Sequence, residues 1–567
     1  TATLGFDRVH SLLAPEPNHV GPQVQVGTAY TTLGPGANVP LDRVQNRYRN
    51  AAMLSRTAGR HRLVAGWEVA RLQFNGREAS SNRSNVYFRN DFGFDAIRNF
   101  RDGRANRFTT GIGGIDRGFR NWEQEYFLGD TWQVHSRLTL DLGVRYEPVT
   151  GPYEVNGLTQ IPFRCDCNNW APRLGFAWRT GGRGALRGAY GVHFGEMFAV
   201  TLQQLRWNPP NFLKIEVNAP ASILDPLAGA NLSAGARSTL FVVPEDLRSP
   251  YSHQYNLSWE AELPKRARVS LGYVGSRTHK LFYMWHTNRA LDVPGIPFTS
   301  ATINERRVDS RYFEVRQVSN MSRAYFDAAR VNITAPDWHG MTFDASYWFS
   351  KAIDLGGAYT NTAAGDDSRN GVSQTDRVVQ ADLKGVSLFD QSHAALVRWR
   401  YVVPGPRTVR ALRGWNLSAV WLAKSGLPFT VLTGSDAPGF GNSDGASGDR
   451  PMLLDPRVLG ARVNHPDVSR ERLPVTAFRG LRRGETAGNL GFNTFRRGGI
   501  RNLNAALDRD WRIAGERRLT LRAESVNFTN TPQFADPNTD WTNPAFGMIT
   551  NTLNEGRSFS FTLQFRW

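Results

Sequence analysis

Few residues in this chain could carry chemistry. Cys165-Asp166-Cys167 has a spacing that could hold a metal or cycle between thiol and disulfide. These are the only two cysteines in 567 residues, and no His cluster accompanies them. The pair is therefore expected to be a local loop disulfide or two structural thiols, and a disulfide-stapled scaffold is excluded. Asp436, Asn442, Asp444 and Asp449 lie among glycines, and Asp366-Asp367 is a smaller acidic pair. Calcium needs several oxygens converging on one point. The spacing departs from the EF-hand order, and Asp and Gly are ordinary loop formers, so both stretches read first as loops. The eleven histidines are scattered, among them His193, His279 and His339, and none forms an HExxH pair. His253 and His393 begin strands and read as solvated strand ends. There is no GxSxG elbow, phosphate loop or dinucleotide fingerprint, and Gly111-Ile112-Gly113-Gly114 is not followed by a helical pattern. No enzyme activity, cofactor or metal is expected.

The elements that must position any binding residues are strands. Period-two alternation dominates the chain. Phe559, Phe561, Leu563, Phe565 and Trp567 alternate with Ser558, Ser560, Thr562, Gln564 and Arg566. Successive strand side chains point to opposite faces, so one face is apolar and the other wet. The same pattern runs through 138–147, 255–263, 267–273, 341–350 and 518–524. It is weaker in 62–72, 123–134, 170–179, 184–194, 324–334, 393–402, 414–424 and 501–512, and weaker still in 1–10 and 44–57. Trp348 falls on a polar face, and Asp130 falls on the apolar face with Tyr126, Leu128 and Trp132. A bulge or a strand end is the expected reason for Asp130. The gaps between strands alternate short and long. Short gaps include 57–60, 135–137 and 180–183, and long ones include 75–121, 195–252 and 433–500. About sixteen strands result.

Composition decides what such a sheet faces. Hydrophobic residues are 40%, aromatics 11% and charged residues 21%, so a disordered chain is excluded. Mean hydropathy is −0.42. No apolar run reaches the roughly 18 residues of a membrane helix. Charged residues populate the polar faces: Asp141, Arg145, Glu147, Glu260, Glu262, Asp344, Arg398, Arg400, Arg522 and Glu524. These are the candidate lumen-facing, ligand-touching residues. Tyr146, Tyr401, Phe528 and Trp567 sit toward strand ends, as in the aromatic girdles of lipid-spanning barrels. The expected fold is an all-β, antiparallel, up-and-down transmembrane β-barrel with short periplasmic turns and long extracellular loops. A soluble, β-rich carbohydrate-active protein is the competing class. The net charge is +18, nearly all from arginine, with only six lysines. The arginines are spread without a basic helix, so no nucleic-acid partner is expected. They suit lipopolysaccharide phosphates or an anion-attracting lumen.

Several segments resemble the barrel of TonB-dependent receptors, nearest the large Oar-like group. They are Tyr126-Phe127-Leu128-Gly129-Asp130-Thr131-Trp132-Gln133-Val134 with the strand 137–147, Trp170-Ala171-Pro172-Arg173-Leu174-Gly175-Phe176, and Leu186-Arg187-Gly188-Ala189-Tyr190-Gly191. Ser346–Asp354, Gly414–Ser418, Lys424–Phe429, Asp449-Arg450-Pro451 and Arg522–Asn530 follow in order. The resemblance covers about residues 120 to 567. It implies a bacterial outer-membrane receptor that captures and imports a scarce, bulky ligand without bond chemistry. Its implied partners are outer-membrane lipid, lipopolysaccharide, the TonB system and the barrel-assembly machinery, with Phe565 and Trp567 forming the C-terminal assembly signal. The ligand is unknown. A family barrel has 22 strands, an N-terminal plug and a TonB box, and these last two are not visible here. With no signal peptide and a start at Thr1-Ala2-Thr3, residues 1–567 are expected to be the C-terminal barrel portion of a longer receptor, with strand 1–10 about its seventh. A passive porin-like channel or an adhesion barrel is the alternative.

Overall fold

The computed structural model describes every residue except 28–31, 79, 196, 198, 229–236, 357–372, 377–379, 406–412 and 447. Asp366-Asp367 lies outside the described residues. Sixteen long strands form the wall: β1 Ala2–Leu13, β2 Leu41–Ala58, β3 His61–Arg77, β4 Asp116–His135, β5 Leu138–Tyr146, β6 Trp170–Gly181, β7 Gly184–Phe194, β8 Tyr251–Glu262, β9 Arg268–Thr287, β10 Tyr312–Trp338, β11 Met341–Asp354, β12 His393–Val402, β13 Trp415–Lys424, β14 Ile500–Ala514, β15 Arg517–Val526 and β16 Ser558–Arg566. Each pairs antiparallel with the next, from β1 to β16. No pairing between β1 and β16 is found among the described residues. Every strand expected from alternation is present. Seven short connections lie at one end of the sheet and eight long ones at the other.

Register partners share a face, so the two faces can be followed round the wall. Tyr126 opposes Tyr146, Leu128 opposes Val144, and Trp259 opposes Leu271 on the outer face. These side chains are half-buried or exposed; Leu128 is 57% and Leu563 70% accessible. Three glycines face a ring on the partner strand: Gly66 with Phe127, Gly188 with Phe176, and Gly275 with Tyr255. A Cβ on Gly66 would stand 2.5 Å from the Phe127 ring, so these strands pack more closely than side chains would allow.

The two exceptions to alternation have local causes. Asp130 lies on the outer face, but its Oδ2 is 2.7 Å from His61 Nδ1, and Trp132 stacks on that imidazole. A bulge follows between Trp132 and His135, beside the turn. Inward-facing Trp348 lies under the guanidinium of Arg330, 5.8 Å from its ring centre.

Buried apolar cores lie among the long connections, not in the wall. One gathers Phe163, Leu202, Leu205, Phe241, Leu247 and Phe282; another gathers Phe429, Val431, Val463, Phe478, Phe495 and Phe546. Short strands bind these connections together. Gln23–Val26 lies parallel to Asn85–Phe88, which pairs with Arg107–Gly113, which pairs with Phe212–Asn218. Ser238–Val242 then lies parallel to the start of β10. The wall strands β4, β9 and β10 run past the alternating region into this layer.

Candidate functional site

The densest constellation of polar side chains lies on the inner face of β2 to β7. Strand parity puts Arg47 and Arg49 of β2, Glu68 of β3, Glu123 and Glu125 of β4, Arg145 of β5, Arg173 of β6 and His193 of β7 on this one face. Glu147 joins them just beyond β5. All of them but Arg49 border a cavity of about 600 Å³. Met197, from the connection 195–250, closes one side and belongs to the first loop core.

Ion pairing is nearly complete. Glu68 accepts from Arg47 at 3.3 Å and from Arg49 at 2.6 Å, and Glu123 is 3.1 Å from Arg47. Arg145 bridges Glu125 at 2.5 Å and Glu147 at 3.3 Å. Arg173 differs: among the described residues it has no carboxylate partner, and its Nη2 meets His193 Nδ1 at 3.5 Å. Its Nε is buried without a hydrogen bond. Arg47, Arg49, Glu68, Glu123, Glu125, Arg145 and Glu147 are held by these ion pairs, whereas Arg173 and His193 meet one another across β6 and β7. Among the described residues the arrangement presents a polar, water-accessible surface on which Arg173 is the arginine without a carboxylate partner. It contains no nucleophile–base pair.

Residues 2–166 and 158–560 match the family model described as "Outer membrane beta barrel domain". The chain belongs to this family. The sixteen-strand sheet is therefore outer-membrane barrel wall, and its outer face meets lipid. The structure is also similar to the outer membrane transporter YddB from Escherichia coli, with a TM-score of 0.53 at 11% identity, over 99% of this chain and 60% of that one. A second similar structure is the pyoverdine outer membrane receptor FpvA from Pseudomonas aeruginosa PAO1 bound to pyoverdine, with a TM-score of 0.46 at 10% identity, over 93% and 53%. At such identities the likeness is one of fold, and the chain spans less than two thirds of either relative. No curated protein matches.

The barrel brings only some of the sequence-predicted residues together. Arg145 and Glu147 lie in the cavity. Asp141 lies nearer the turn, where it accepts from Thr131 Oγ1 at 2.7 Å. Glu260 is 3.9 Å from Arg187, and Glu262 is exposed at the end of β8. Asp344 and Arg398 are register partners on β11 and β12, and Arg400 opposes Thr342. Arg522 meets Glu524 at 2.7 Å and Asp508 at 3.9 Å on β15 and β14. Phe565 and Trp567 lie on the outer face of β16 and beyond its end.

Arg47, Arg49, Glu68, Glu123, Glu125, Arg173 and His193 were missed because their strands alternate weakly. The signal was present in the 47/49 and 123/125 spacings, which put like side chains on one face.

Other candidate features prove structural. Cys165 and Cys167 are disulfide-bonded, with Cα atoms 5.5 Å apart. Asp166 between them is buried and accepts from Ser249 N at 2.6 Å and Arg248 Nη1 at 3.1 Å, anchoring the approach to β8. His253 Nδ1 lies 2.7 Å from the Tyr190 hydroxyl, and His393 Nδ1 lies 2.7 Å from that of Tyr347. In the loop 436–449, Asp436 accepts from Gly445 N at 2.8 Å, Asp449 accepts from Asn442 N at 2.8 Å, and Asp444 pairs with Arg289 at 2.8 Å. Burial, reinforced by Asp444, pushes the Asp436 carboxyl up to about 8. Asp449 is pushed well above the usual carboxylate range by burial and Asp436. Among the described residues no group of three or more His, Cys, Asp or Glu side chains could hold a metal ion.

Proposed function

We propose that this barrel is the ligand-capturing wall of an outer-membrane receptor of the TonB-dependent, Oar-like kind, driving energised uptake. The residues 1–567 are then the barrel portion of a longer protein whose plug and TonB box lie outside this sequence. The observation that carries the reading is the ion-paired cavity on the inner face, closed on one side by Met197. A passive channel needs no pre-organised polar surface with one arginine left without a carboxylate. Arg173 marks the ligand as polar and anion-bearing, and the lumen-facing residues Asp141, Arg145, Glu147, Glu260, Glu262, Asp344, Arg398, Arg400, Arg522 and Glu524 form its further path. Lipopolysaccharide, the TonB system and the barrel-assembly machinery are the partners.

Planar-bilayer recording of the natural full-length protein tests this reading. A receptor closed by a plug is expected to show no steady ohmic current, and to show one once the plug is released with denaturant. A steady open pore before such treatment overturns the receptor and leaves the porin-like channel.

A further inference from the structure

The short-turn end carries a charge pattern that the lumen site does not explain. By sequence, the seven short connections and two residues on either side of each hold twelve Lys and Arg against three Asp and Glu. That net of +9 is half the +18 of the whole chain. Arg60, Arg137, Arg183, Arg266, Arg413 and Arg517 lie in or beside six different connections. All six are exposed, and among the described residues none is ion-paired to an acid.

Four arginines of the long connections are instead paired to carboxylates. Arg206 is bound to Glu78, Arg450 to Asp382 and Arg496 to Asp390, all with buried acids or buried guanidinium groups. Arg289 meets Asp444 at 2.8 Å. By sequence, half of the net charge therefore falls in the short connections and their flanks.

A ring of outer-face aromatics lies immediately beside these cations. Trp132, Trp178, Trp259, Tyr401, Trp415 and Trp511 each stand within about five residues of a short connection, and register places each with apolar outer-face partners or with one another. Amphipathic rings settle at the headgroup level of a bilayer. Each adjoining short connection begins one to four residues beyond these rings, at the depth of the lipid phosphates. Short turns of outer-membrane barrels face the periplasm, so the phosphates at this depth are those of the inner leaflet.

We propose that the short-turn end is a binding surface for anionic phospholipid headgroups of the inner leaflet, of the phosphatidylglycerol or cardiolipin class. Guanidinium groups match phosphate oxygens bidentately. A ring of them at one depth gathers such lipids around the barrel foot and fixes its vertical position. The inference rests on the outer-membrane location and not on uptake, so the two can fail separately.

The test uses the full chain in phosphatidylcholine vesicles containing spin-labelled phosphatidylglycerol or spin-labelled phosphatidylcholine. The immobilised fraction of each label gives the relative association constant. The wild type is expected to prefer phosphatidylglycerol by about threefold or more at low salt, with the preference falling as NaCl rises. The variant R60Q/R137Q/R183Q/R517Q is expected to bring the ratio near one while keeping heat-modifiable migration. A loop-end control, R311Q/R457Q, is expected to leave it unchanged. Equal association of both labels in the wild type overturns the proposal. So does a preference that survives the turn substitutions or that is lost in the loop-end control. Should the fourfold variant fail to fold, R60Q alone and the salt titration of the wild type decide the same point.

Discussion

Arg145 shows how much one inward side chain can settle. It faces Glu125 and Glu147 at once, and it is about one-third exposed. Replacing it with Met leaves two carboxylates on one partly screened surface. The expected loss is about 1 kcal/mol, discounted for solvent, because removing one partner costs more than the pair contributes. R145M is expected to lower the thermal midpoint of heat-modifiable migration, and E125Q in the same chain to recover part of it. Independent, additive losses would show that the three groups do not act as a unit. Trp567 poses a different residue-scale question. It is 90% exposed beyond β16, with its ring 6.1 Å from Phe565. If these two rings form the assembly signal, W567A/F565A is expected to slow the appearance of the folded form in the outer membrane during pulse-chase. The purified variant is expected to refold in detergent at the wild-type rate.

At the scale of elements, the stability of the loop 436–449 is expected to depend on pH. The Asp436 carboxyl is raised from 3.8 to about 8 by burial and by Asp444. The folded loop therefore holds a proton that the unfolded loop releases. Its contribution to stability is fully present below pH 3.8 and is lost as pH rises through about 8. Amide exchange over this loop is expected to be slower at pH 5.5 than at pH 8, after correction for intrinsic rates. D436N keeps an oxygen for the Gly445 amide and is expected to reduce that dependence, the remainder being carried by Asp449, whose carboxyl burial also raises. A slope unchanged in D436N would assign it elsewhere.

The same scale shows what the sequence made legible. All sixteen wall strands were readable, because water on one face and lipid on the other impose alternation even where it is weak. The outer ends of β9 and β10 were not. In β9, Phe282, Tyr283, Met284 and Trp285 are all buried. Loops cover both faces there, and bulges interrupt the register between Thr278 and Tyr283, so period two disappears. Half of the lumen site was hidden for a related reason. The residues Arg47, Glu68 and Glu125 meet only through pairing across strands whose separation in sequence no local pattern encodes.

The whole molecule is built inside out by the standards of a water-soluble protein. Its closed apolar cores hold the long connections together, while the wall turns Leu, Phe and Trp outward and charge inward. This makes the two faces of a single strand respond oppositely to the same substitution. Leu257 and Asn256 are neighbours on β8, both exposed, six or seven residues from the short connection and so near the middle of the span. Leu257 shares the outer face with Tyr273, whereas Asn256 faces the lumen opposite Ala189. L257R puts a guanidinium against hydrocarbon and is expected to cost about 2–4 kcal/mol of folding stability in lipid bilayers. N256R stays in water and is expected to change it by less than about 1 kcal/mol. A soluble sheet with the same strands would bury Leu257 and expose Asn256 in detergent-free buffer, where L257R would abolish folding outright. Denaturant titration of both variants in liposomes separates these architectures. Equal costs at the two positions would contradict a wall with lipid on one side and a water-filled lumen on the other.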